Sequence, residues 1–165
     1  YRSAEVHNTM TVSGFEPYPT NKPYYDDAFR IVVAGPPPEI TCGGDEVRLE
    51  HHGFQRLRDV GAWQRQWRFT EKTMYLGDAL QGRGTERISR RFMTPCKAEA
   101  GASVVVLSPN GAGARSFLLH SPDAVASVAK TTLWHAYGRG RDGFSIAFTA
   151  DAALPWSGEV RLEVI

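Results

Sequence analysis

Apolar and polar residues alternate with a period of two along most of the chain. Ala4, Val6, Met10 and Val12 alternate with Glu5, His7, Thr9 and Thr11, the pattern of a strand with one buried face. Phe29, Ile31 and Val33 around Arg30 predict another strand, stopped by Pro36, Pro37 and Pro38. Val47 and Leu49 alternate with Glu46, Arg48 and Glu50. Trp63, Trp67 and Phe69 fall on one face with Gln64, Gln66 and Arg68 opposite, and Arg90 splits Ile88 from Phe92. In the last third, residues 102–107 and 115–120 flank a turn at 109–113, where Asn110-Gly111 and Gly113 supply positive φ angles. Residues 132–137 and 144–149 bracket a second glycine-rich turn at 138–143. Val160, Leu162 and Val164 close the chain against Glu159, Arg161 and Glu163.

One segment reads as a helix. Ser121 has the form of an N-cap, Pro122 of a first helical residue, and Asp123 stands near the positive end of the dipole, with about two turns following to Lys130. About nine or ten short strands with one short helix predict an antiparallel β-sandwich, jelly-roll or immunoglobulin-like. No fixed-period repeat or low-complexity linker divides residues 1–165, which predicts one sandwich domain. Residues 1–23 form its N-terminal strand and an arm rich in proline (Pro17, Pro19, Pro23).

Composition supports a packed core: 42% of the 165 residues are hydrophobic and 22% charged. With 19 basic against 18 acidic residues, the net charge of +1 gives no strong pull toward nucleic acid or anionic membrane. No apolar run approaches the ~20 residues of a membrane helix. The charge is unevenly spread. Residues 1–53 carry four basic and eight acidic groups, whereas residues 54–98 carry ten and four. That basic middle contains Trp63 and Trp67, as single-strand nucleic-acid binders do, but the alternation assigns both tryptophans to the core and disfavours nucleic acid.

The two cysteines, Cys42 and Cys96, together with a first residue Tyr1 rather than Met, suggest a processed, exported protein, extracellular or periplasmic, with one disulfide. The order Cys42, Trp63 or Trp67, Cys96 resembles that of immunoglobulin domains in these three residues. Thr94 rather than Tyr stands two before Cys96, and no family is assigned.

Candidate chemistry is sparse. Gly138, Gly140 and Gly143 match G-x-G-x-x-G, yet strands on both sides make this a hairpin rather than a phosphate cradle. Ser127 and Lys130 match S-x-x-K without its companion motifs, which leaves a solvated helix face. His51 and His52, being adjacent, would point to opposite faces of a strand. His120 and His135 would meet if their strands paired, which makes them weak metal candidates or, with a carboxylate, a hydrolase site; no metal or cofactor is assigned. Tyr24, Tyr25, Asp26 and Asp27, with Trp156, place aromatic faces beside acceptors as sugar-binding loops do. Val6, Met10, Val12, Arg87 and Arg90 are candidate contacts with a partner.

The leading expectation is a non-catalytic exported domain, a subunit of an extracellular or surface assembly that contacts other protein subunits, or copies of itself, through strand edges. The alternatives are a module for glycan or another small ligand, and a hydrolase with a His/carboxylate site.

Overall fold

The alternating segments pair into two antiparallel sheets. The computed structural model describes residues 4–18, 26–111, 113–136 and 138–165, and within them the chain forms twelve strands, one α-helix and a 3-10 turn. The smaller sheet contains β1 (Met10–Val12), β6 (Thr85–Thr94), β10 (Val125–Ala136) and β11 (Arg139–Ala153), in the order β1-β6-β11-β10. The larger one holds, in spatial order, β2 (Glu39–Gly43), β3 (Glu46–His51), β4 (Val60–Phe69), β5 (Thr73–Gly82), β12 (Trp156–Val164), β9 (Phe117–His120), β8 (Val104–Ser108) and β7 (Lys97–Ala100). Residues of both sheets meet in the buried clusters, which makes the fold the expected β-sandwich.

The core is two apolar clusters separated by a polar layer. One cluster contains Leu76, Val105, Leu119, Ile146, Phe148 and Val160; the other contains Met10, Val12, Phe54, Trp63, Leu80 and Ile88. Five strands cross from one cluster to the other; β11 does so on apolar residues, through Phe148, Ala150 and Ala152, and the other four change chemistry midway. On β4, Arg65 separates Trp63 from Trp67, and on β5, Asp78 separates Leu80 from Leu76. On β6, Arg90 separates Ile88 from Phe92, and on β12, Gly158 separates Trp156 from Val160. These residues share the inward face because side chains two apart in a strand point the same way.

Arg65, 4% exposed, faces Asp78 in register and grips it with two bonds, Nε to Oδ1 at 2.7 Å and Nη2 to Oδ2 at 3.0 Å. The Trp63 indole N–H donates to the same Oδ1 at 2.8 Å, and the guanidinium lies 4.8 Å from the Trp63 ring centre. Arg90, 1% exposed, reaches from the small sheet to the loop after β9, donating to Ser121 Oγ at 2.6 Å and Asp123 Oδ1 at 3.0 Å. It also stands 5.2 Å from the Trp156 ring on the large sheet. Gly158 pairs with Asp78 and leaves the space that Asp123 and Trp156 occupy. Arg65 and Asp78 therefore balance inside the sandwich, and buried Arg90 is balanced by Asp123, whose side chain stays 31% exposed at the rim.

Three segments depart from the sequence reading. Ala4–Val6, expected in the N-terminal strand, form a 3-10 turn, and β1 starts only at Met10. Residues 29–33 are not a strand: α1 spans Asp27–Ala34. Asp26 caps it by accepting the Phe29 N–H at 2.7 Å, and Gly35, at φ 82°, ends it by donating to the Ile31 carbonyl. These end signals outweigh the β preference of Ile31, Val32 and Val33. Conversely, Ser121-Pro122-Asp123 starts no helix. Ser121 Oγ, fully buried, donates to Asp123 Oδ1 at 2.7 Å and accepts from Arg90, so its oxygen is held by side chains instead of capping a backbone N–H. The chain then enters β10, which puts Ser127 and Lys130 on a strand. The glycine-rich turn is also tighter than expected, since Arg139–Gly143 already pairs within β11.

The expected disulfide is absent. Both thiols are free, Cys42 on β2 and Cys96 just before β7. These strands are the opposite ends of the large sheet, roughly 30 Å apart along it at the usual strand spacing, whereas a bridge needs Cα atoms within about 7 Å. The N-terminal strand is likewise committed to its own sheet. Met10, Thr11 and Val12 pair with Arg90, Ser89 and Ile88, and both apolar side chains are fully buried. Arg56 fastens the start of the proline-rich arm by donating to the Glu16 and Pro17 carbonyls.

Gly158→Ala would drive a Cβ into Asp123 Oδ2 and the Trp156 ring. It should cost about 2 kcal/mol, a fall of roughly 5 °C in Tm by calorimetry, while Gly77→Ala, where the added methyl meets nothing within 4 Å, should change Tm little.

Candidate functional site

The outer face of the large sheet carries a polar cleft of about 640 Å³. Alternation builds it, because five adjacent strands send outward the residues that flank their buried ones. β2 contributes Glu39 and Thr41, β3 Arg48 and Glu50, β4 Gln64 and Gln66, and β12 Ser157 and Glu159, over a floor of Gly77 and Ala79 on β5. Gln64 donates to Glu50 at 2.7 Å. Arg65 and Asp78 at its base neutralise each other, and Glu39, Glu50 and Glu159 against Arg48 leave the cleft acidic, so it suits a basic or hydroxyl-rich surface and opposes an anionic chain.

Several large apolar side chains are exposed. α1 exposes Phe29, Ile31 and Val32, the last to 78%, and Ile40 stands exposed on β2, the outermost strand of the sheet. That strand also presents an unpaired backbone edge.

A third feature closes the same end of the sandwich. His51 sits between Tyr18, stacked at 5.8 Å, and Trp63, edge-on at 4.4 Å. Its Nδ1 accepts the Gly53 N–H at 2.9 Å, which places the proton of the neutral ring on Nε2. Burial first, then the positive charge of Arg65 and the neighbouring His52, lower its pKa from 6.5 to about 4. Behind it, Asn8 joins the N-terminal segment to the body. Its side-chain oxygen accepts the Met93 N–H at 2.7 Å and its carbonyl faces Arg65 Nη1 at 3.4 Å.

The residues singled out in the sequence do not converge on one site. Tyr24 and Tyr25 lie outside the described residues, Asp26 is the helix cap, and Asp27 is the first residue of α1. Trp156 is partly buried under Arg90 and packs on the second core cluster, an internal post rather than a sugar platform. Of the proposed partner contacts, Met10, Val12 and Arg90 are buried and unable to meet another chain; Val6 is half-buried and Arg87 is exposed. His120, on β9, pairs with Arg161 and Val104, whereas His135 lies near the outer end of β10 in the other sheet, so their strands do not pair. Among the described residues no three His, Cys, Asp or Glu side chains cluster as metal ligands would, and no helix is long and apolar enough to cross a membrane.

No family model matches the chain, and no curated protein sequence matches it. Solved structures do share its fold. Heparan sulfate lyase HepC from Pedobacter heparinus superposes with a TM-score of 0.68 at 11% identity, over 99% of this chain and 24% of that one. A heparinase III gene product gives 0.68 at 11% identity over the same shares. The 4-alpha-glucanotransferase from Thermococcus litoralis gives 0.56 at 13% identity, over 95% of this chain and 27% of that one. The chain thus has the architecture of a β-sandwich that makes up about a quarter of each of these enzymes.

The His51 site generates a pH prediction. Between pH 6.5 and 4 the unfolded state binds a proton at His51 that the folded state refuses, so stability is complete above pH 6.5 and is lost as pH falls toward 4. The loss amounts to about 3 kcal/mol at most. Urea titrations of His51→Gln should show a flatter stability curve over that window, and an unchanged slope would contradict the assignment.

Proposed function

We propose that this chain is the β-sandwich module of a larger carbohydrate-processing enzyme, and that it docks on the rest of the polypeptide through the corner made by α1, β2 and the acidic cleft. The observation that carries the reading is the exposure of large apolar side chains, Phe29, Ile31 and Val32 on α1 and Ile40 on β2, the outermost strand of the large sheet. Covering such side chains is worth roughly 1.5–3 kcal/mol each, which favours a partner that buries them. The fold comparisons support it from another side: a heparan sulfate lyase, a heparinase III gene product and a glucanotransferase each contain a region of this architecture as about a quarter of a longer chain.

The chemistry of the corner describes its occupant. An apolar centre meets α1 and Ile40, and a basic rim meets Glu39, Glu50 and Glu159. This keeps the expectation of protein contacts at a strand edge and moves the edge from β1 to β2. In the complete polypeptide, Ile31→Asp with Val32→Asp should lower glycan-depolymerising activity about tenfold and uncouple the unfolding of the sandwich from that of the remainder. In residues 1–165 alone the same pair should shift stability by only about 0.5 kcal/mol, as exposed positions do. Unchanged activity in the double variant, or a complete polypeptide inactive on a panel of acidic and neutral glycans, would overturn the reading.

A further inference from the structure

The two sheets differ in width, eight strands against four. At one end of the wide sheet β7 lies against β10 and β11, and at the other end the core-facing side chains of β2 to β5 record where the cover stops. His51, Trp63 and Leu80 form one cross-strand row and all are buried, with the rings of Tyr18 and Phe54 beside His51. In the next row Asp78 and Arg65 are buried, Leu49 is half-buried and Ile40 is 62% exposed. One row further, Leu76 is buried, Trp67 and Val47 are half-buried and Cys42 is exposed. Cover is complete over β5 and gone at β2, whose five residues are all exposed. As an outermost strand, β2 also leaves a row of backbone N–H and C=O groups without a strand partner. The other three outer strands are blunted. β1 has three residues, β7 has four and carries the exposed ion pair of Lys97 with Glu99, and β10 turns Lys130 to the side of Val128, toward the core. β2 has no lysine, no proline and no bulge.

We infer that a strand from the rest of the polypeptide adds to β2, an inference that rests on the module reading above and specifies the partner. Side chains of an added strand alternate between the two faces of the sheet. Those on the core side land beside Ile40 and Cys42, extend the rows that run in to Leu76 and Asp78, and gain by being apolar. Those on the other side enter the cleft next to Glu39 and Glu50, where lysine or arginine answers the charge. The occupant is therefore an extended segment matching the five residues of β2, with apolar and basic side chains in alternation. Main-chain hydrogen bonds along the edge supply affinity, and the alternation supplies register. A second copy pairing through its own β2 would bring Glu39 and no basic side chain, because that strand has none.

Residues 1–165 are titrated with three octapeptides, one alternating lysine with valine, one glutamate with valine and one lysine with serine. Hydrogen exchange at residues 39–43 and sedimentation read the result. The lysine–valine peptide should slow that exchange about tenfold or more on a monomeric chain, and the other two should leave it unchanged. Ile40→Lys should abolish the protection and Glu39→Lys should weaken it, and an unchanged Tm verifies folding, since both sites are exposed. No protection by any peptide, or equal protection by all three, would overturn the added strand. Protection without peptide that rises together with a dimer mass would give the edge to a second copy and overturn it as well. The complete polypeptide separates this failure from that of the module. Exchange at residues 39–43 as fast as in residues 1–165 alone, with Ile31→Asp and Val32→Asp still uncoupling the unfolding, would sink strand addition and leave the module reading. Inactivity on every glycan would sink the module reading, while the edge would still stand or fall by the titration.

Discussion

Two guanidinium groups buried between the sheets, Arg65 held by buried Asp78 and Arg90 held by Asp123 at the rim, form an ionic layer on which the rest of the packing depends. An isolated charge there would be prohibitively costly, and the layer persists because each guanidinium meets a carboxylate directly and each has an aromatic face beside it. Its main effect is on register. Sliding β4 by one residue against β5 would turn Arg65 outward and leave Asp78 buried alone, a far larger penalty than slipping an apolar pair. Arg90 performs the same task between sheets, since it starts on β6 and ends on the loop that leads from β9 to β10. With strands and sheets fixed in this way, the outward residues of β2 to β5 and β12 become one cleft, and the β10–β11 hairpin leaves the body at a set point.

The sandwich was legible in the sequence because alternation survives wherever one face is buried. Most strands of the large sheet, and the hairpin of β8 and β9, lie close to where the pattern puts them. The buried arginines were present in the same pattern but hidden by expectation. Trp63, Arg65 and Trp67 occupy positions of one parity, as do Ile88, Arg90 and Phe92, and only the habit of assigning arginine to the solvent separates them. The two helix misreadings have a common origin. A run such as Ile31, Val32 and Val33 favours strands locally, and Ser-Pro-Asp favours a helix start, but Asp26 with Gly35 in one case and Arg90 with Asp123 in the other decide the outcome.

The surfaces were less legible, because function at a surface depends on which strands become neighbours. Nothing in the order of residues places Glu39 beside Glu159, which are brought onto one face by four intervening pairings. Trp134 opposite Gly140 is likewise a fact of register across a turn that ends sooner than the glycines suggest. The pairing of Cys42 with Cys96 failed for the same reason in reverse, since an even count carries no information about strand order.

The central claim, that the ionic layer specifies the sandwich, is tested most directly by a double-mutant cycle on Arg65→Met and Asp78→Leu, read by urea unfolding. Each single change strands a buried charge and should cost about 3–5 kcal/mol, while the double variant should recover much of that loss, giving a coupling of at least about 2 kcal/mol. Losses that simply add would contradict it.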